Sequence, residues 1–208
     1  PPFFLFAAAA LATLPYPWAL LAWMVLTFPA YLAAVRAIGP RPETLLVAAA
    51  FPAVFVNLGH GQNGFLTAAL LGGALFWLDR RPALAGVLLG ALAYKPQFGM
   101  LIPLVLLVTG RWTVIAAACV TVAALSAVTW LLFGTTVWTA FAGSTEYSRV
   151  VILEAGDTGW EKIQSIFSAV RSLGAPVEAA YAAQAALLLA LALSLVSLWR
   201  GRAAYELK

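Results

Sequence analysis

Residues 112–133 read WTVIAAACVTVAALSAVTWLLF, with no Asp, Glu, Lys, Arg or His between Trp112 and Phe133. A helix needs roughly 20 apolar residues to cross about 30 Å of hydrocarbon, and this run supplies them without interruption. The rest of the chain leaves no soluble alternative. Of its 208 residues, 63% are apolar and only 10% are charged, against about a quarter charged in soluble domains. A soluble fold of this size cannot hide so much apolar surface. Lipid removes the conflict, provided that every backbone polar group is paired within helices. The expected fold is therefore all-α, a polytopic transmembrane helical bundle forming a single domain over residues 1–208.

Working outward from that run, short polar punctuation separates further apolar segments at 3–14, 18–35, 43–56, 65–78, 82–93, 98–109 and 177–199. Every second junction is rich in arginine: Arg36 and Arg41, Arg80 and Arg81, Arg111, then Arg200 and Arg202 with Lys208. The alternate junctions hold Lys95, Arg149, Lys162 and Arg171. Lys and Arg concentrate on the cytoplasmic side. The arginine-marked ends are thus expected inside, and the polar clusters 57–63 and 94–97 and the segment 134–176 outside. The formal charge of +4 then reports topology, and no nucleic-acid partner is expected.

Segments 65–78 and 82–93 are too short to span the bilayer. At 1.5 Å per residue they rise roughly 18–21 Å, so their outward ends are expected to stop at membrane depth. Irregular polar backbone is tolerated there only when it is buried in protein or lines a wet cavity. Clusters 57–63 and 94–97 are therefore expected to share the wall of one outward-opening cavity. Local bilayer thinning with no cavity is the alternative geometry. The segment 134–176 is too polar to cross. Its stretches 135–147 and 160–173 carry apolar residues at helical spacing, with Trp138 and Trp160 as amphipathic anchors. They are expected to lie as helices at the outer interface, with a mobile stretch at 149–159 between them. The single cysteine, Cys119, excludes an internal disulfide and a cysteine-based metal site, and is expected to be a small buried core residue.

Polar groups at membrane depth are costly and mark function by default. His60, Gln62 and Asn63 sit among Gly59, Gly61 and Gly64, a composition that suits close approach of backbone to a ligand; a plain solvated turn is the alternative. His60 is a candidate acid, base or phosphate donor. Lys95, followed by the helix-breaking Pro96, is a candidate for neutralising a phosphate, or else a snorkelling lysine. Gln97 is a candidate for hydrogen-bonding a sugar hydroxyl, and Tyr94 for stacking on a sugar ring. The acidic residues Glu146, Glu154, Asp157 and Glu161 of the outer segment, grouped with Arg149, read as solvated, and any one of them serves only as a weak candidate base. No phosphate-cradling Gly-Lys-Ser loop, dinucleotide fingerprint, metal-spaced His pair or serine-nucleophile motif occurs. No cofactor and no metal is expected, and any substrate must arrive already activated.

Three stretches carry a resemblance: Gly61-Gln62-Asn63-Gly64-Phe65, then Leu78-Asp79-Arg80-Arg81-Pro82, then Leu92-Ala93-Tyr94-Lys95-Pro96-Gln97. In these the chain resembles glycosyltransferase family 87, which includes the polyprenol-phosphate-mannose-dependent α-mannosyltransferases of bacterial envelopes. Pro1-Pro2-Phe3 with Leu14-Pro15 looks like the family's Tyr-Pro-Pro segment without its start, and residues 162–174, with Gln164-Ser165, resemble a later outer helix. The resemblance implies a GT-C fold in a bacterial plasma membrane. It also implies a polyprenyl-phosphate sugar donor, most simply mannose, and a lipid or glycan acceptor. Transfer would invert the anomeric centre, and Lys95, His60, Gln62, Asn63, Gln97 and Tyr94 would lie in the donor site. The family's catalytic base is an Asp in the first outer loop, expected upstream of Pro1, so the chain is expected to be an inactive fragment on its own. A transporter or flippase of a lipid-linked sugar is the alternative, since broken helices with midplane polar groups suit that class as well. A non-catalytic membrane scaffold is a third reading, one that leaves the recessed Lys95 without a purpose.

Overall fold

The computed structural model describes residues 1–201; Arg202 and Lys208, counted above among the inward charges, lie outside the described residues. Helices account for about four-fifths of the chain, with no strand among the described residues. Among the described residues, three helices are long and apolar enough to cross a membrane: α2 (Tyr16–Ile38), α8 (Trp112–Phe133) and α11 (Val177–Arg200). A fourth crossing is possible for the bent pair α3 (Pro42–Ala50) and α4 (Pro52–His60). The remaining helices are α1 (Leu5–Leu11), α5 (Gly64–Trp77), α6 (Pro82–Leu92), α7 (Ile102–Val108), α9 (Thr136–Tyr147) and α10 (Ile166–Ser172).

Several helices differ from the expected segments, each for a local reason. The span expected at 43–56 is broken by a 54° bend. Pro52 has no N–H and pushes Phe51 into extended backbone, φ −63° and ψ 132°, as the residue before proline prefers. The segment expected at 98–109 becomes a 3-10 turn at Pro96–Gly99 followed by α7, since Pro96 and Pro103 each reset the helix start. The helix expected at 160–173 is split into a short turn, Trp160–Lys162, and α10. Ser165 divides them by capping α10, its side chain accepting from the Ser168 N–H. The outer segment includes a π-helix, Ser148–Glu154. Cys119 is exposed rather than buried, because α8 presents most of its surface outward, as a lipid-facing helix does.

The chain divides into two compact units. The first holds residues 1–100 and 111–132. In it α5 packs on α2 and on α6, and adjacent glycines serve the two contacts. A Cβ on Gly72 would meet Ile38 and Ala34 of α2, and one on Gly73 would meet Leu88 of α6. Next, α6 packs on α8 through Gly86 and Gly90, which lie four residues apart on one face. A Cβ on Gly86 would overlap Ala117 and the Val114 carbonyl; one on Gly90 would lie 2.5 Å from Thr121 Cβ. Lipid gives no hydrophobic drive between helices, so association rests on this close backbone approach. Phe65, Ala74, Leu78, Ala85, Leu92 and Val114 form the buried core. At the arginine-rich end, Arg111 bonds Asp79 at 2.5 Å, while Arg80 and Arg81 stack over Phe76 and Trp77.

The second unit holds residues 101–110 and those from 133 onward. Here α7 and α10 pack on α11, with Phe167 edge-on to Tyr181 at 4.8 Å and the Phe167 N–H donating to Gln184. Arg149 bonds Glu146 at 2.6 Å and Glu154 at 2.8 Å. Arg171 donates to the Glu154 and Ala175 carbonyls and stacks on Trp160. The Tyr181 hydroxyl, donating to Glu154 at 2.7 Å, holds that carboxyl below its ordinary value, and the Arg149 guanidinium adds to the effect.

Two predictions follow from this packing. Gly90→Leu forces α8 off α6 and costs about 1–3 kcal/mol, the range of core overpacking, read as a lower unfolding midpoint in detergent; Gly59→Leu, where nothing lies within 4 Å, serves as the neutral control. Because the carboxyl of Glu154 is held low, its contribution is present above the ordinary carboxylate range and lost as pH falls through the folded value. Amide protection over 148–154 should therefore drop on acidification, and Glu154→Gln should abolish that dependence.

Candidate functional site

The candidate residues gather where α4 ends and α6 ends. Asn57 and His60, expected in a turn, lie instead in the last turns of α4. Both side chains bond back along the helix: Asn57 Nδ2 donates to the Ala53 carbonyl at 2.9 Å, and His60 Nδ1 lies 3.1 Å from the Val56 carbonyl. Donation there by the Nδ1–H tautomer leaves Nε2 as the acceptor nitrogen. The helix stops at Gly61, whose φ of +61° is left-handed and suits glycine best. The N–H groups of Gly61 and Gln62 both turn back to the Asn57 carbonyl, closing the helix end.

Asn57 does more than accept with its backbone. Its Oδ1 takes the Gly64 N–H at 3.0 Å, so one amide side chain clamps the turn from both sides. Gly64 has to lack a side chain, because a Cβ there would overlap the Asn57 amide. The carbonyl of Gln62 accepts from Trp23 Nε1 of α2 at 3.3 Å, tying the turn to a full-length span.

The second turn reaches the first through Tyr94. Its hydroxyl lies 2.6 Å from Thr67 Oγ1 and donates to the Asn63 carbonyl at 3.3 Å. Thr67 in turn donates to the same carbonyl at 2.9 Å. The Tyr94 ring stacks on Phe4 with centroids 5.4 Å apart, and Phe4 stands edge-on to Trp23. Tyr94 thus joins the two turns, with its hydroxyl and one ring face engaged by protein. Lys95 follows it as the residue before Pro96, with φ −112° and ψ 89°, and Gln97 lies exposed in the next 3-10 turn.

Five candidate side chains remain available around this brace. Gln62, Asn63, Lys95 and Gln97 make no side-chain hydrogen bond or ion pair among the described residues, and His60 bonds only to its own helix. The arrangement presents amide donors and acceptors, an imidazole and an ammonium, the groups that suit a phosphate beside hydroxyls. It holds no carboxylate. No cluster of three or more His, Cys, Asp or Glu able to hold a metal occurs among the described residues.

Sequence reasoning overlooked Phe4, Trp23 and Thr67. Trp23 carried a signal, because an indole N–H in an apolar span needs an acceptor. Thr67 stands four residues after Asn63, the spacing at which a hydroxyl bonds back to a helical carbonyl. Phe4 carried none.

The clamp predicts a contrast within the turn. Asn57→Ala strips the Gly64 N–H of its partner and costs about 2 kcal/mol, seen as a lower unfolding midpoint. Gln62→Ala, at a side chain with no partner, leaves that midpoint unchanged.

Neither the curated proteins nor the solved structures yield a match. The model of glycosyltransferase family 87, however, matches residues 1–208. The chain belongs to glycosyltransferase family 87.

Proposed function

We propose that the two joined turns form the donor site of a membrane glycosyltransferase that takes its sugar, mannose, from a polyprenyl phosphate. Family membership supports the reaction class. The observation that carries the donor assignment is the unpaired Lys95, set one residue from Tyr94 and so beside the 61–64 turn. An ammonium left unpaired in a largely apolar helical region is expensive unless an anion completes it. Lys95 would neutralise the donor phosphate. His60, Gln62 and Asn63 would bind phosphate or sugar, and Gln97 a sugar hydroxyl. Tyr94 would set the spacing between the turns and offer its remaining ring face to the sugar.

In the reaction the acceptor hydroxyl oxygen forms a bond to the anomeric carbon. The bond from that carbon to the phosphate oxygen breaks, and the electron pair leaves with polyprenyl phosphate. Lys95 gains most from the charge that develops on the leaving group, which is the condition for accelerating the step. The hydroxyl proton passes to a carboxylate, and since neither turn contains one, that base belongs to another segment. The distribution of arginines supports an outward orientation for both turns and for segment 134–176, and family membership supports a bacterial plasma membrane as the setting.

The test supplies membranes containing the protein at its full natural length with radiolabelled polyprenyl-phosphate sugar and measures the new glycosidic product. Lys95→Ala is expected to lower transfer about 100-fold or more with the protein still monodisperse in detergent. Undiminished transfer in that variant would overturn the phosphate role. Movement of labelled lipid across the bilayer with no glycosidic product would favour a transporter, a class that the bent α3–α4 pair also suits.

A further inference from the structure

Away from both turns, the first unit contains a cleft of about 490 Å³ where α2 ends and α3 begins. That volume falls within the roughly 300–1,000 Å³ of small-molecule sites. Its wall is apolar along Val35, Val47, Ala48 and Phe51, with Tyr31 and Thr44 alongside. Two opposite charges, Arg41 and Glu43, complete the lining. Neither makes an ion pair or side-chain hydrogen bond among the described residues. The backbone around them is firmly held: Arg36 Nη1 donates to the Arg41 carbonyl at 2.7 Å, and Tyr31 donates to the Ala48 carbonyl at 3.2 Å.

We propose that this cleft binds a zwitterionic phospholipid with a phosphoethanolamine headgroup, Arg41 holding the phosphate and Glu43 the ammonium. The chemistry selects this headgroup among the common ones. An anionic lipid such as phosphatidylglycerol satisfies Arg41 but sets its negative charge against Glu43. A choline headgroup carries no N–H for the carboxylate to accept. Only a primary ammonium beside a phosphate matches one cation and one anion on the same wall, while the acyl chain lies along Val35, Val47 and Phe51. The cleft sits at an arginine-marked end of the helices, the level at which headgroups meet a membrane protein.

The experiment reconstitutes the full chain in nanodiscs of equal phosphatidylethanolamine, phosphatidylglycerol and phosphatidylcholine, and identifies retained lipid by native mass spectrometry. Phosphatidylethanolamine is expected to be retained above its one-third share. Arg41→Gln should return phosphatidylethanolamine to about its one-third share, whereas Arg80→Gln, outside the cleft, should leave the enrichment unchanged. Glu43→Gln should shift retention toward phosphatidylglycerol, a gain that misfolding cannot produce. Retention of all three lipids in their bulk proportions would overturn the proposal, and so would a cleft already occupied by another protein segment, which would retain no lipid. A preference for phosphatidylglycerol in the unaltered chain would overturn it equally.

Discussion

The Tyr94 hydroxyl sits 2.6 Å from Thr67 Oγ1 and 3.3 Å from the Asn63 carbonyl, and the candidate site depends on those two bonds. Polar groups among apolar helices must find partners within the protein. Asn63 stands at the N-terminal end of α5, where its carbonyl accepts the Thr67 N–H at 3.0 Å and the Thr67 hydroxyl at 2.9 Å, with the Tyr94 hydroxyl 3.3 Å away. The contacts of Tyr94 hold the end of α6 against the start of α5, bringing Gln62 and Asn63 into the neighbourhood of Lys95. The same bonds leave the candidate side chains unengaged, since the backbone and the braces Asn57, Thr67 and Tyr94 absorb the local demand.

Convergence also requires that the helices approach closely. Glycine and alanine line each contact in the first unit: Gly72 against α2, Gly73 against α6, Gly86 and Gly90 against α8. Close backbones bring dispersion contacts that lipid cannot supply as well. The short helices α5 and α6 are consequently held between two full-length ones, α2 and α8, and their polar ends are positioned by packing rather than by their own length.

The second unit meets its polar demand differently. Its π-helix is fastened by Arg149, Glu146, Glu154 and Tyr181, and Arg171 bridges carbonyls on both sides of it. Acidic residues that read as merely solvated in sequence are thus engaged in part: Glu146 and Glu154 take part in the network.

Composition and the uncharged run at Trp112–Phe133 determined the membrane class, because no soluble core can absorb that much apolar surface. Residue spacing determined the long helices, since hydrophobic length is a local property, and the pairing of the 61–64 and 94–97 motifs pointed to the family. Three things lay beyond it. The break at Pro52 has a local cause, the extended backbone of Phe51, but a proline in an apolar run also fits an unbroken helix, as Pro29 does within α2. The clamp of Asn57 on Gly64 joins residues seven apart and depends on the left-handed turn at Gly61 that brings them together. The bond from Tyr94 to Asn63 joins residues 31 apart in the chain, and nothing local encodes a contact that exists only once α5 and α6 have packed.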